Sequence, residues 1–279
     1  MNFNDYLDEF ATDWRLDGKA ATTVELYSMY LRTLVADQAD TVQVNQVNLL
    51  TVKRWLADSS STQTARMRGR AVRAFGKWAC ANDGPDWAWW PKVPLSSVAI
   101  APQPTVKRSD YEATRSKAGS VRDRLVIELL WCTGLRVSEL ARVNVDDVSL
   151  VDGSVLVQRS KAGRPRLAPL SDRACRLIRR LPKKGNDPRL LGMTSSAIQQ
   201  LLKRLKCPSA HAWRRGWAVE ALRNGVSETS VKAAAGWSSG AMVARYTSAA
   251  SGELAISEFG SRANPSRKLV EPIAHRRDT

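Results

Sequence analysis

Residues 211–246 read HAWRRGWAVEALRNGVSETSVKAAAGWSSGAMVARY. His211 and Arg214 stand three apart, and on a helix that spacing sets both side chains on one face, close enough to grip one anion together. Trp217, Val219, Ala221 and Leu222 supply a buried side, and Gly225 suits the position that ends the helix. A short alanine-rich helix over 231–235 closes at Gly236-Trp237. Nine residues beyond Trp237, after a Ser-Ser-Gly turn, stands Tyr246, preceded by Arg245. Taken singly, an H-x-x-R on a basic helix is a solvated face, and a tyrosine near a helix end is packing. Order and spacing carry the weight here, together with partners found upstream.

The nearest partner lies in CTGLRVSELARVNVDDV, residues 132–148. Arg136 and Glu139 share a helix face at i, i+3, after a Thr-Gly that can start the helix. As a surface pair they would be worth only a few tenths of a kcal/mol. The convincing strands lie between Gly153 and Leu170: GSVLVQ alternates, RSKAGRPR carries the turn, and LAPL leads out. Lys161 sits in that turn with Arg164 and Arg166.

These residues resemble the tyrosine recombinases, the phage-integrase family. In that family a G-L-R-x-S-E-L box, a hairpin lysine, an H-x-x-R, a Gly-(His/Trp) and a later tyrosine form one active site. The match is in order: Arg136, Glu139, Lys161, His211, Arg214, Trp237 and Tyr246. It covers residues 107–260, and co-ordered matches on the expected elements are far more specific than any one motif. The resemblance implies an α+β catalytic domain, mainly α with a small antiparallel sheet, and a two-domain clamp around duplex DNA. It assigns Tyr246 as nucleophile, Arg136 and Arg214 as holders of the scissile phosphate, Glu139 as the acid that helps place the site, and Lys161 as the minor-groove lysine.

The chemistry is coherent. A free tyrosine has a pKa near ~10, so only on the order of one in a thousand is ionised at neutral pH. It becomes useful when the phosphate it attacks is held and charge-neutralised. Two planar guanidinium groups do this without a metal. His211 can donate to the same oxygens or take the tyrosine proton, Trp237 can supply an indole N–H, and Lys161 can protonate the leaving 5′-oxygen. The product, a 3′-phosphotyrosyl link, keeps the phosphodiester energy, so resealing calls for no ATP and no Walker-type loop. No cofactor and no metal are expected.

Composition agrees. Across 279 residues, 43 Lys+Arg face 27 Asp+Glu, a net charge of +16, with a pI near 10.2. That excess predicts a polyanionic partner, double-stranded DNA first. No apolar run is long enough for a membrane. Cys80, Cys132, Cys175 and Cys207 show no C-x-x-C spacing and only two histidines accompany them, so they read as reduced, mostly buried thiols. The acidic, amphipathic start MNFNDYLDEFATDW is neither a signal nor a transit peptide, which predicts a cytoplasmic protein.

Residues 1–88 read as helices throughout, and in arrangement they resemble the family's helical core-binding DNA-binding domain. Tyr6, Phe10 and Trp14 recur at i, i+4, i+8. Thr22-Thr23 can cap a second helix, and Leu49-Leu50, Val52 and Leu56 mark a third. A fourth runs through TQTARMRGRAVRAFGKWACAN. Its apolar side is Val72, Phe75, Trp78 and Ala79. Arg66, Arg68, Arg70, Arg73 and Lys77 are assigned to its other face, a one-sign run that predicts phosphate contact. Arg164, Arg166 and Arg215 are further expected DNA contacts. A Pro-rich linker is expected over 89–106, with its early tryptophans available to pack on the first domain. The catalytic domain, 107–279, opens at a capping-box pattern, Ser109 to Glu112.

The resemblance further implies a monomer in solution and a homotetramer on core-type recombination sites, with a directionality factor as another partner to seek. Leu254, Ile256 and Phe259 in the tail are expected to dock on a neighbouring protomer or fold back in cis. A compact phage integrase and a Xer-like resolvase both fit. A type IB topoisomerase-like enzyme would use the same chemistry as a monomer. A non-enzymatic DNA-binding relative would lack site residues, and none is missing.

Overall fold

The computed structural model describes residues 2–36, 42–82, 87–97, 103–158, 165–182, 185–247, 251–252 and 255–256. The chain divides into two compact units, Met1–Ala101 and Pro102–Thr279.

The first unit is helical: α1 (Phe3–Leu16), α2 (Ala21–Leu34), α3 (Leu49–Ala57) and α4 (Thr62–Ala81). Asn2 and Asp5 cap α1 reciprocally, and Asn48 and Ser61 accept N–H groups at the starts of α3 and α4, satisfying donors that the first turn leaves open. The α2 start differs from the expectation: Ala20 is the N-cap and neither Thr22 nor Thr23 caps it. The core is aromatic. Phe3, Phe10, Phe75 and Trp87 are fully buried, with Phe75 and Trp87 edge-on at 4.9 Å. The Trp78 indole N–H donates to Asp13 at 2.8 Å.

One expectation about this unit is corrected. At 100° per residue Arg66, Arg70, Arg73 and Lys77 share one side of α4, whereas Arg68 falls on the opposite side. There it stacks on the Trp55 ring at 4.6 Å and donates to the Trp55 carbonyl and the Ser59 hydroxyl. Arg66 donates to the Ser96 carbonyl, and Arg73 to those of Val93 and Pro91. Only Arg70 and Lys77 of the five are exposed. The early tryptophans of the Pro-rich stretch pack on this unit as expected. Residues 87–96 lie on α4 as a strap, close enough that a β-carbon on Gly69 would stand 2.9 Å from the Pro94 carbonyl, and one on Gly76 2.5 Å from Trp90.

The second unit is built on α6 (Val121–Thr133), in which Leu125, Val126, Ile127, Leu129 and Leu130 are all buried. A helix apolar on most of its circumference belongs in a core, and α5 (Arg108–Lys117), α8 (Asp172–Arg179) and α10 (Ala210–Arg223) surround it. The expected capping box shifts: Lys107 is the N-cap of α5 and its N–H goes to Asp110, while Glu112 pairs with Arg115. A three-stranded antiparallel sheet covers one side: β1 (Val148–Ser149), β2 (Ser154–Val157) and β3 (Arg166–Pro169). Val155, Val157 and Ala168 point inward. β1, only two residues long, is too short to show alternation in the sequence. The remaining helices are α7 (Val137–Leu140), α9 (Ser195–Arg204), α11 (Glu228–Ala235) and α12 (Gly240–Thr247).

The four cysteines are unpaired, and only Cys175 is buried outright; burial nevertheless pushes the Cys132 thiol up to about 12. Among the described residues no His/Cys/Asp/Glu cluster could hold a metal, and no helix is long and apolar enough to cross a membrane.

Candidate active site

Glu139 is the centre of the site. Its side chain is 4% exposed and lies in α7. Arg136 is not on that helix with it, as the i, i+3 spacing suggested, but is its N-cap. The Arg136 N–H donates to Glu139 Oε2 at 2.9 Å and its Nη1 to Oε1 at 2.8 Å. Arg166, at the start of β3, donates to both oxygens, Nη2 to Oε2 at 2.8 Å and Nη1 to Oε1 at 3.2 Å. Burial alone would raise the Glu139 carboxyl, but the hydrogen bonds from Arg166 and from the Arg136 N–H, with the Arg166 charge, outweigh it and hold the group below the usual carboxylate range.

Arg214, on α10, is 1% exposed, its Nη1 4.0 Å from Glu139 Oε2. It donates to the carbonyls of Gly134, where α6 ends, and of Ala235, where α11 ends. Its guanidinium lies 5.2 Å from the centre of the Trp237 ring. Two glycines make this possible. Gly134 and Gly236 both take left-handed φ, +60° and +65°, as helix C-caps, a conformation glycine adopts without strain. A β-carbon on Gly134 would meet the Trp217 ring at 2.3 Å.

His211 is in the first turn of α10, at the surface. Partial burial first, then the charges of Arg215, Arg214 and Arg136, hold its imidazole below the ordinary histidine range. A cavity of about 520 Å³ is lined by Arg136, His211 and Arg214, together with Ser138, Ser195, Gln199 and Lys203. Two guanidinium groups and a neutral imidazole converging on one hollow can bind a phosphate and stabilise charge that builds on its oxygens. The α9 residues in this lining carry no motif that would have singled them out.

The structure thus brings Arg136, Glu139, His211, Arg214 and Trp237 together. Trp237 is 5% exposed and shares an apolar cluster with Trp217, Val231 and Val243. α12 joins that cluster through Val243 and carries Tyr246 in its last turn. The Tyr246 side chain, Lys161, Arg164 and the tail residues Leu254 and Phe259 lie outside the described residues, and the described Ile256 is exposed. Two of the expected DNA contacts also have partners within the protein. The Arg166 side chain is 8% exposed and committed to Glu139 and to the Ala234 carbonyl. Arg215 donates its Nε to the Pro104 carbonyl at 2.7 Å.

A helical second unit with a small sheet thus carries a buried acid that orders arginines around an anion-sized hollow. The sequence profile of the phage integrase family matches residues 108–253. The chain belongs to the phage integrase family.

Tyrosine recombinase XerA of Pyrococcus furiosus is 28% identical over 167 residues, covering 60% of this chain and 57% of that protein. Tyrosine recombinase XerC of Mycobacterium bovis is 33% identical over 157 residues, covering 51% and 53%. The chain therefore spans just over half the length of these curated relatives. Among solved structures, a λ integrase dimer bound to a COC′ core site superposes with a TM-score of 0.75 at 16% identity, covering 88% of this chain and 95% of that one. The Tn1549 transposon integrase bound to transposon right-end DNA gives 0.71 at 18%, covering 92% and 99%. At such identities these likenesses speak for the fold.

Proposed function

We propose that the protein is a site-specific DNA recombinase that cuts and rejoins strands through a 3′-phosphotyrosyl intermediate. One observation carries the reading: Arg136, His211 and Arg214 line a single cavity, while the helix bearing Tyr246 packs in the cluster that holds Trp237. Arg136 and Arg214 neutralise the scissile phosphate. Tyr246 Oη attacks phosphorus and its proton passes to His211. The leaving 5′-oxygen takes a proton from Lys161. A second 5′-hydroxyl then reverses the steps and reseals the strand, with no ATP needed because the phosphodiester energy is retained. Double-stranded DNA is the partner, bound by a monomer that assembles as a tetramer on paired sites.

Phage-type integration and excision is the main role. The names of the relatives, XerA and XerC, favour a second, a Xer-like resolvase. Incubation with a library of nicked duplexes, followed by sequencing of what becomes covalently attached, identifies the site. Tyr246→Phe is expected to bind that duplex and form no adduct. A phenylalanine variant still trapped on the nicked duplex would overturn the assignment. Relaxation of supercoiled DNA at full rate by a monomer would instead favour the topoisomerase-like alternative.

A further inference from the structure

The geometry points to Arg166 as a positioning residue for the cleavage step, a strut that joins Glu139 to the end of the helix preceding Trp237. It rests on the recombinase reading above.

The side chain is nearly enclosed, and each end of its guanidinium is engaged. The Nη1 and Nη2 groups meet the two oxygens of Glu139 at 3.2 and 2.8 Å. The Nε donates to the Ala234 carbonyl at 2.8 Å. The next carbonyl, Ala235, is taken by Arg214. Two adjacent carbonyls at the negative end of α11 are therefore held by two arginines, a favourable arrangement at a helix C-terminus. One of these arginines faces the cavity and the other does not line it.

Arg166 also controls how Glu139 is shared. Oε2 accepts from Arg166 at 2.8 Å while Arg214 Nη1 stays at 4.0 Å. Without Arg166 that buried oxygen would keep only the Arg136 N–H, at 2.9 Å, and Arg214 Nη1, 4.0 Å away, stands within a short shift of the vacated place. A shift of the Arg214 head by 1 Å toward the acid would draw it off the phosphate, and misplacement on that scale can cost about 10²-fold in rate. The close fit at Gly236 makes the strut specific. A β-carbon there would stand 2.9 Å from Arg166 Cδ and 3.0 Å from its Nε, so the αL turn that presents Trp237 is moulded on this side chain.

Lysine cannot replace it, because a single ammonium cannot span a carboxylate bidentately and reach a carbonyl in the perpendicular direction. The test uses the full chain and the nicked duplex recovered by covalent trapping with the wild type. Arg166→Met and Arg166→Lys are each expected to slow single-turnover cleavage at saturating protein by about 10²-fold, with the dissociation constant and its salt dependence unchanged. On the same duplex with a methylphosphonate at the scissile position, where the charge that Arg214 and Arg136 must meet is already reduced, the ratio of wild-type to variant rate is expected to shrink toward unity.

Wild-type rates in both variants would overturn the inference. So would a salt slope lowered by about 0.9 with the rate intact, the signature of a direct phosphate contact. A reduced amplitude at an unchanged rate would also overturn it, assigning Arg166 to fold stability alone. A wild-type chain that never attaches to any duplex would overturn the recombinase reading and this inference with it.

Discussion

The indole of Trp217 lies across the α-carbon of Gly134, leaving only 2.3 Å for a β-carbon between them. The carbonyl of the same glycine accepts a hydrogen bond from Arg214, so the contact joins the apolar cluster under Trp237 to the cation of the site. Gly134→Ala would combine positive φ with a clash against a ring that cannot move without disturbing α10. Destabilisation of about 2 kcal/mol or more is expected, measured by denaturant unfolding. A variant within about 0.5 kcal/mol of wild type would show that the indole relocates freely.

Arg136 and Arg214 are expected to differ in stability while agreeing in rate. Replacing either with Ala should cost roughly 10²-fold or more in cleavage, with modest loss of binding because many other cations remain. Arg214 is buried and holds two helix-end carbonyls, so its loss should also lower the unfolding midpoint. Arg136 is more exposed, so its loss should affect the midpoint less. Equal midpoints for the two variants would contradict the packing described for Arg214.

In the first unit the two kinds of arginine separate by experiment. Arg70→Ala with Lys77→Ala is expected to flatten the log–log salt slope of DNA binding by about 0.9 per lost contact and to leave stability unchanged. Arg68→Ala should do the reverse, losing its stack on Trp55 and two hydrogen bonds at a cost of about 1–2 kcal/mol. A salt slope that moves with Arg68 and stays fixed with the pair would reverse both assignments.

His211 gives a pH prediction whose sign follows from its depressed pKa. As pH falls, the unfolded chain takes up this proton before the folded one. Its contribution to stability is therefore complete above the ordinary value near ~6.5 and is lost as pH drops through the folded value. In a His275→Gln variant, where His211 is the only histidine left, the imidazole NMR titration of the DNA-free protein should have its midpoint below ~6.5. Arg215→Gln should raise that midpoint, since Arg215 is the leading charge against it. A midpoint above the ordinary histidine range would sink the prediction.

The fold class was legible because it rests on local signals: helix periodicity and the glycine that closes α11 lie within short windows. The Thr-Gly expected to start the helix of Glu139 instead ends α6, with Gly134 as its αL C-cap, and Arg136 caps the next helix. What else escaped was long-range. Arg166 looked like one more cation on a basic hairpin, and no pattern within residues 159–166 reveals that it meets Glu139, 27 positions earlier. Arg68 was grouped with its neighbours by charge, although 100° per residue already sets it apart from them. The prolines of 91–94 suggested an extended linker; Pro91 instead sits in a short 3-10 turn, Trp90–Lys92, and Gly69 and Gly76 leave a groove on α4 that the strap fills.

Where the catalytic unit begins is decided on α10 rather than on the linker. Val106 is 2% exposed, and its N–H donates to the Ala212 carbonyl at 3.2 Å. Gly216 has no room for a β-carbon beside the Val106 carbonyl, and Arg215 holds that of Pro104. An excised fragment starting at residue 107 would uncover the flank of the helix that carries His211 and Arg214. One starting at 103 would keep the helix clothed, so the two fragments should differ in solubility and in adduct yield although only four residues separate them.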